Sequence, residues 1–134
     1  MKAKQLLIYG IVAGLLSGLA GVIYQYIYQD MFFVDYSPVV NAGAIIGSSL
    51  IGTVLMSLGY FILFKVKKEK WIGIVNLVYM FLTFASILPA MAVTLPLDIE
   101  FPELFPGLVV PMHFFVPMIF FGLGPFFMKQ SDIK

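Results

Sequence analysis

The chain of 134 residues contains no cysteine, no arginine and a single histidine, and only 11% of its residues are charged. Without cysteine there is no disulfide, thiolate nucleophile, zinc ribbon or iron–sulfur cluster. Without arginine the bidentate forks that usually grip phosphate and carboxylate are missing. With one histidine and seven carboxylates a complete metal site within a single chain is not expected, nor is a cofactor; Asp98, Glu100 and Glu103 could offer oxygen ligands but lack a glycine-centred loop. The motif HExxH, a strand-flanked glycine-rich phosphate loop and any sequence motif of a Ser-His-Asp triad are absent, and the chain reads as non-enzymatic. A net charge of +1 gives no reason to expect a nucleic-acid partner.

What remains is apolar. Hydrophobic residues make up 61% and the mean hydropathy is +1.01, whereas soluble domains run at about 45–50% apolar and about 25% charged. Four apolar runs stand out, at about 5–28, 39–64, 71–95 and 108–128. Each has about 20–26 residues, and a helix needs about 20 to cross the hydrocarbon of a bilayer. Backbone polar groups in lipid have to be satisfied within the segment, so the expected form is helical. The first run follows Lys2 and Lys4 and contains Ser17-Gly18-Leu19-Ala20, as a secretion signal would. It continues well past the about 7–15 residues of a signal core, so it reads as a retained span.

The lysines set the orientation. All eight precede the first run, lie between the second and third, or follow the fourth; the two connections on the other side carry Asp30, Asp35, Asp98, Glu100 and Glu103 and no base. With Glu69 and Asp132 counted, one face carries +6 and the other −5. The positive-inside rule puts both termini and the Lys65–Lys70 loop in the cytoplasm. Trp71 suits an inner interfacial anchor, and Tyr24, Tyr26, Tyr28 and Tyr36 suit an outer aromatic belt. The expectation is one all-α domain over residues 1–134: an integral membrane four-helix bundle in the bacterial cytoplasmic membrane, both termini inside. Asp30–Asp35 reads as interfacial, and the proline-punctuated Leu95–Pro106 as a rigid extended loop.

Gly10, Gly14 and Gly18 form overlapping GxxxG patterns in the first run; Gly43 and Gly47 make another in the second, where Ala44, Ser48 and Gly52 continue a small-residue stripe. Such stripes let helix backbones approach closely. They serve either to pack runs one and two together or to dock a second copy or another membrane protein.

Polar groups inside the runs are few. His113 lies about five residues into the fourth run and Asn41 about two into the second, at similar expected depth, with Gln25 and Thr94 at comparable levels. Together they would line a shallow, outward-facing pocket; alternatively, His113 and Asn41 are interhelical glue. Asn76 is expected to bond near Ser57 or Thr53. Met112 and Met118 beside His113 raise a copper or haem reading, although methionine filling gaps between helices is commoner. Haem binding would need a five-coordinate histidine or a dimer supplying two.

The stretches Ile11-Val12-Ala13-Gly14-Leu15-Leu16-Ser17-Gly18, Asp35-Tyr36-Ser37-Pro38 and Pro111-Met112-His113-Phe114 resemble a family of small uncharacterised four-span bacterial membrane proteins with a Met-His pair in the last span. The resemblance implies four spans in a bacterial cytoplasmic membrane and marks His113; it implies no mechanism. Three functional readings follow. The leading one is an accessory or interaction subunit, self-associating or part of a larger membrane complex, that uses the glycine stripes and acidic loops. The second is a small carrier or sensor for an apolar or weakly basic ligand, with a pocket near His113 and Asn41. The third is a dimeric b-type haem protein.

Overall fold

The computed structural model describes residues 2–128; Lys129, Asp132 and Lys134 of the basic face lie outside the described residues. The described chain is helical without strands: α1 (Ala3–Phe32), α2 (Ala42–Lys65), α3 (Ile72–Ala92) and α4 (Phe105–Phe127), with single 3-10 turns at Glu69–Trp71 and Pro102–Leu104. All four helices are long and apolar enough to cross a membrane. Both ends of the described chain and the 66–71 turn lie at one end of the bundle, called here the lysine end. The two other connections form the acidic end.

Helix limits follow local chemistry. α1 runs four residues beyond the expected Tyr28, so Asp30–Phe32 completes the helix rather than forming a separate interfacial segment. It stops where Phe33 turns left-handed (φ 55°) and Val34 N–H donates to Gln29 O at 3.1 Å. α2 starts later than expected because Val39 and Val40 N–H both turn back to Tyr36 O; Asn41 then caps the helix, its Oδ1 accepting from Ala44 N–H at 2.8 Å. α3 ends at Ala92, short of Leu95, as Val93 becomes extended ahead of the Leu95-Pro96 step. The 95–106 segment is not extended throughout: Ile99 N–H closes a turn on Pro96 O, and a 3-10 turn leads into α4.

α1 is the spine. Its glycines meet the backbone of α2 so closely that a Cβ on Gly14 would lie 2.7 Å from Leu50 Cα, and one on Gly18 2.8 Å from Ile46 Cα. Thr53 Oγ1 crosses this seam and donates to Gly10 O at 2.7 Å. The second stripe does no comparable work. A Cβ on Gly47 meets nothing within 4 Å, one on Gly43 meets only its neighbour Asn41, and Gly52 faces Val116 of α4 at ordinary distance. Gly10, Gly14 and Gly18 therefore pack helices within the chain, whereas Gly43 and Gly47 meet no other helix within 4 Å.

Two apolar clusters hold the ends. At the lysine end Tyr9, Tyr60 and Phe120 stack, with Tyr9 and Phe120 centroids 4.3 Å apart, and the Tyr9 hydroxyl donates to Phe120 O. At the acidic end the wholly buried Tyr36 sits edge-on to Phe105 at 5.2 Å and donates to Phe101 O at 2.5 Å. Burial raises its phenol pKa, with Tyr28 and Glu103 adding to the shift, so the hydroxyl stays a donor. α3 is peripheral: of its 21 residues only Ile72 and Ile87 are buried.

Candidate functional site

α3 is tied to α2 through the lysine-end halves of both helices, where Tyr60 donates to Asn76 Oδ1 and Tyr79 donates to Met56 O at 2.8 Å. Asn76 thus bonds Tyr60, not Ser57 or Thr53. Further toward the acidic end α3 leans on α4 instead, with Phe84 edge-on to Phe114 at 5.3 Å. The gap left between α2, α3 and α4 is a cavity of about 710 Å³. Ser17 and Gly21 of α1 form its floor, and Leu55 and Leu82 stand at its rim. These two leucines are 59% and 56% exposed, so the cavity opens sideways between α2 and α3. Its lining is predominantly apolar, and it contains no carboxylate and no lysine.

His113 is on the wall. Its Nδ1 lies 2.7 Å from Val109 O, one helical turn back. A carbonyl only accepts, so Nδ1 carries the hydrogen, and in the neutral ring Nε2 carries the lone pair. Nε2 has no partner among the described residues, yet it is not a sealed polar atom. His113 stands eight residues after the start of α4, Ser48 and Ser49 six and seven after that of α2, and Ser86 and Thr83 six and nine before the end of α3. At about 1.5 Å per residue these groups share a level roughly 9–14 Å from the acidic end.

The prolines of α4 act differently from one another. Pro111 leaves Gly107 O without its helical donor, and the Tyr24 hydroxyl fills that place at 2.8 Å. Pro117 likewise denies His113 O an i+4 donor, and no hydroxyl among the described residues replaces it. Both His113 and Pro117 line the cavity.

Of the four residues expected to form a pocket, only His113 reaches this one. Asn41 caps α2 and is exposed. Gln25 is buried, but its Nε2 donates to Val40 O at 2.5 Å and to Gln29 Oε1 at 3.3 Å, while Gln29 Oε1 accepts from Tyr36 N–H at 2.8 Å. That relay fastens the 33–41 connection to α1. Thr94 lies beyond the end of α3, exposed. Met112 lines the cavity but Met118 points away, 64% exposed, so the two do not flank His113 as ligands. Among the described residues no three His, Cys, Asp or Glu side chains converge.

Ser49, Tyr79, Thr83 and Ser86 line the cavity without having been singled out from sequence. The available signal was hydroxyls at the depth of His113 on two helices, with Thr83 and Ser86 three apart on one face of α3. Compared with known proteins, the chain matches no family model, no curated protein and no solved structure, so its functional reading rests on this geometry.

Proposed function

We propose that this chain is a multi-pass protein of the bacterial cytoplasmic membrane that binds, without chemically altering, an apolar ligand in the cavity beside His113, as a small carrier or sensor. The membrane assignment rests on four helices of spanning length and composition. The orientation rests on the lysines, which put both termini and the Lys65–Lys70 turn in the cytoplasm and the cavity in the outer half of the bilayer. Trp71 fits this arrangement: it is half-exposed, with Lys68 Nζ 6.0 Å from its ring, at the level where an inner interfacial anchor belongs.

The observation that carries the ligand reading is the side-opening cavity of about 710 Å³ with His113 on its wall. Ligand sites are typically about 300–1,000 Å³, mostly apolar, with a few polar groups that fix orientation. A membrane-dissolved molecule would enter between Leu55 and Leu82 without passing through water. Catalysis lacks support, because no carboxylate lines the cavity and, among the described residues, no hydroxyl on the wall is hydrogen-bonded to His113.

An accessory-subunit role has one observation in its favour. The outward face of α3 carries Leu77, Phe81 and Leu88, each about 70% exposed, a surface for a partner helix or for lipid. The Gly10–Gly18 stripe no longer supports that role, since α2 occupies it.

Native mass spectrometry on the chain released gently from its own membrane separates these readings. The ligand reading expects a reproducible small added mass that disappears when Ser49→Leu fills the cavity. A stoichiometric partner protein with no small adduct would replace it with the accessory role. A bare chain would leave both without support.

A further inference from the structure

The chemistry of the cavity wall narrows the ligand, an inference that rests on the ligand reading above. Each hydroxyl or ring N–H that lines the wall and has a partner donates its hydrogen to helix backbone. Ser17 donates to Ala13 O (2.7 Å), Ser48 to Ile45 O (3.1 Å), Thr83 to Tyr79 O (2.9 Å), Ser86 to Thr83 O (2.6 Å) and Tyr79 to Met56 O (2.8 Å). His113 Nδ1 does the same to Val109 O. A hydroxyl that has given its hydrogen to the backbone can offer a ligand only lone pairs, and so can His113 Nε2. Only Ser49, whose hydroxyl has no partner among the described residues, keeps a hydrogen to give.

We infer that the ligand is a neutral amphiphile with a long apolar body and a hydroxyl head, alcohol or phenol, whose O–H donates to His113 Nε2. The apolar remainder of the wall accounts for the body. A pure hydrocarbon would leave the acceptors without donors. A carboxylate or phosphate head would set its own lone pairs against them. An ammonium head could donate, but no carboxylate lines the cavity to balance its charge, and an unpaired charge at this depth is costly.

The test uses the full chain in lipid nanodiscs and three photoreactive probes with the same long alkyl chain: an alcohol, its methyl ether and the primary amine. Cross-links are mapped by mass spectrometry, and each probe is competed with its unlabelled parent. The expected result is cross-linking of the alcohol at the Leu55–Leu82 rim and the Val116 wall, with half-labelling at about one-tenth the concentration the ether requires. His113→Phe should bring the alcohol down to the level of the ether. His113→Gln, whose amide oxygen still accepts, should keep part of the preference. The wild-type alcohol-to-ether ratio is decisive even if His113→Phe misfolds. Equal labelling of the cavity by alcohol and ether would overturn the donor inference and leave the cavity as a ligand site. Preferential labelling by the amine would replace the neutral head with a cationic one. No labelling of the cavity by any probe would sink the ligand reading itself.

Discussion

Gly14 stands where α1 comes nearest to α2, and a methyl group there has nowhere to go. Its Cβ would lie 2.5 Å from Thr53 Oγ1 and 2.7 Å from Leu50 Cα, the latter backbone that cannot rotate aside. Gly14→Ala is expected to cost about 1–3 kcal/mol, the usual range for overpacking a tight contact. Gly47→Ala, with open space around it, should be neutral or raise stability by up to about 1 kcal/mol through helix propensity. Reversible unfolding in mixed micelles compares the two; equal effects would mean that the α1–α2 seam is misplaced. A second residue-scale prediction concerns the pairing of Tyr24 with Pro111. Tyr24→Phe leaves Gly107 O without a donor, at about 1 kcal/mol, and Pro111→Ala supplies an N–H to that carbonyl. A double-mutant cycle should therefore return a coupling of about 1 kcal/mol, with the Tyr24→Phe loss largely absent in the Pro111→Ala background. At the acidic end, the backbone N–H of Ser37, 2.9 Å from Asp35 Oδ1, holds the Asp35 carboxyl below its usual range, with the Ser37 hydroxyl contributing. A lowered carboxylate pKa favours the folded turn above the unfolded-chain value, and that preference is lost only as pH falls through the lowered one. Exchange protection of the Ser37 amide should accordingly persist below pH 3.8, the ordinary value, and be absent at every pH in Asp35→Ala.

Among the helices, α3 is the least committed. Replacing Leu77 with Ala should change stability by less than about 0.5 kcal/mol, whereas the same change at buried Ile87 should cost about 2 kcal/mol or more. Because the chain has no native cysteine, spin labels can be placed in pairs without background. Labels at Ser48 and Ser86, across the cavity, should give a broader distance distribution than labels at Leu63 and Val75, near the Tyr60–Asn76 tie. Similar widths at both positions would mean that α3 is as firmly seated at the cavity as at the lysine end. This is also the scale at which sequence reading reached its limit. The four helices were legible because runs of such length and hydropathy have few alternatives. Which face of each helix points inward was not, because residues that are apolar all round leave little periodicity to read. Asn41 looked intramembrane by count, yet Val39 and Val40 turn back on Tyr36 and make it a cap. Gln25 looked like a pocket residue, and its depth gave no hint that Val40 O lay opposite. His113 was visible because it is the one histidine in the chain; the hydroxyls across from it could be paired with it only once α3 was seen to part from α2.

For the whole molecule, the unequal distribution of charge makes a direct prediction. A cysteine at Asp98 should react with an impermeant maleimide in intact cells, and one at Lys68 only after permeabilisation. The reverse pattern would invert the orientation and put the cavity in the inner half of the bilayer. The spine role of α1 bears on how the molecule is made. Tyr9, Tyr24 and Tyr28 all project from the first helix synthesised and donate to Phe120 O, Gly107 O and Leu104 O, on or next to the last. α1 and α2 can close their glycine seam as soon as both have left the ribosome. The three phenols must then wait for about forty to fifty-five further residues before their acceptors arrive, and a hydroxyl left without a partner away from water is unfavourable. A chain of the proposed topology halted before α4 would therefore leave three phenol hydroxyls of α1 without the acceptors they have in the finished fold.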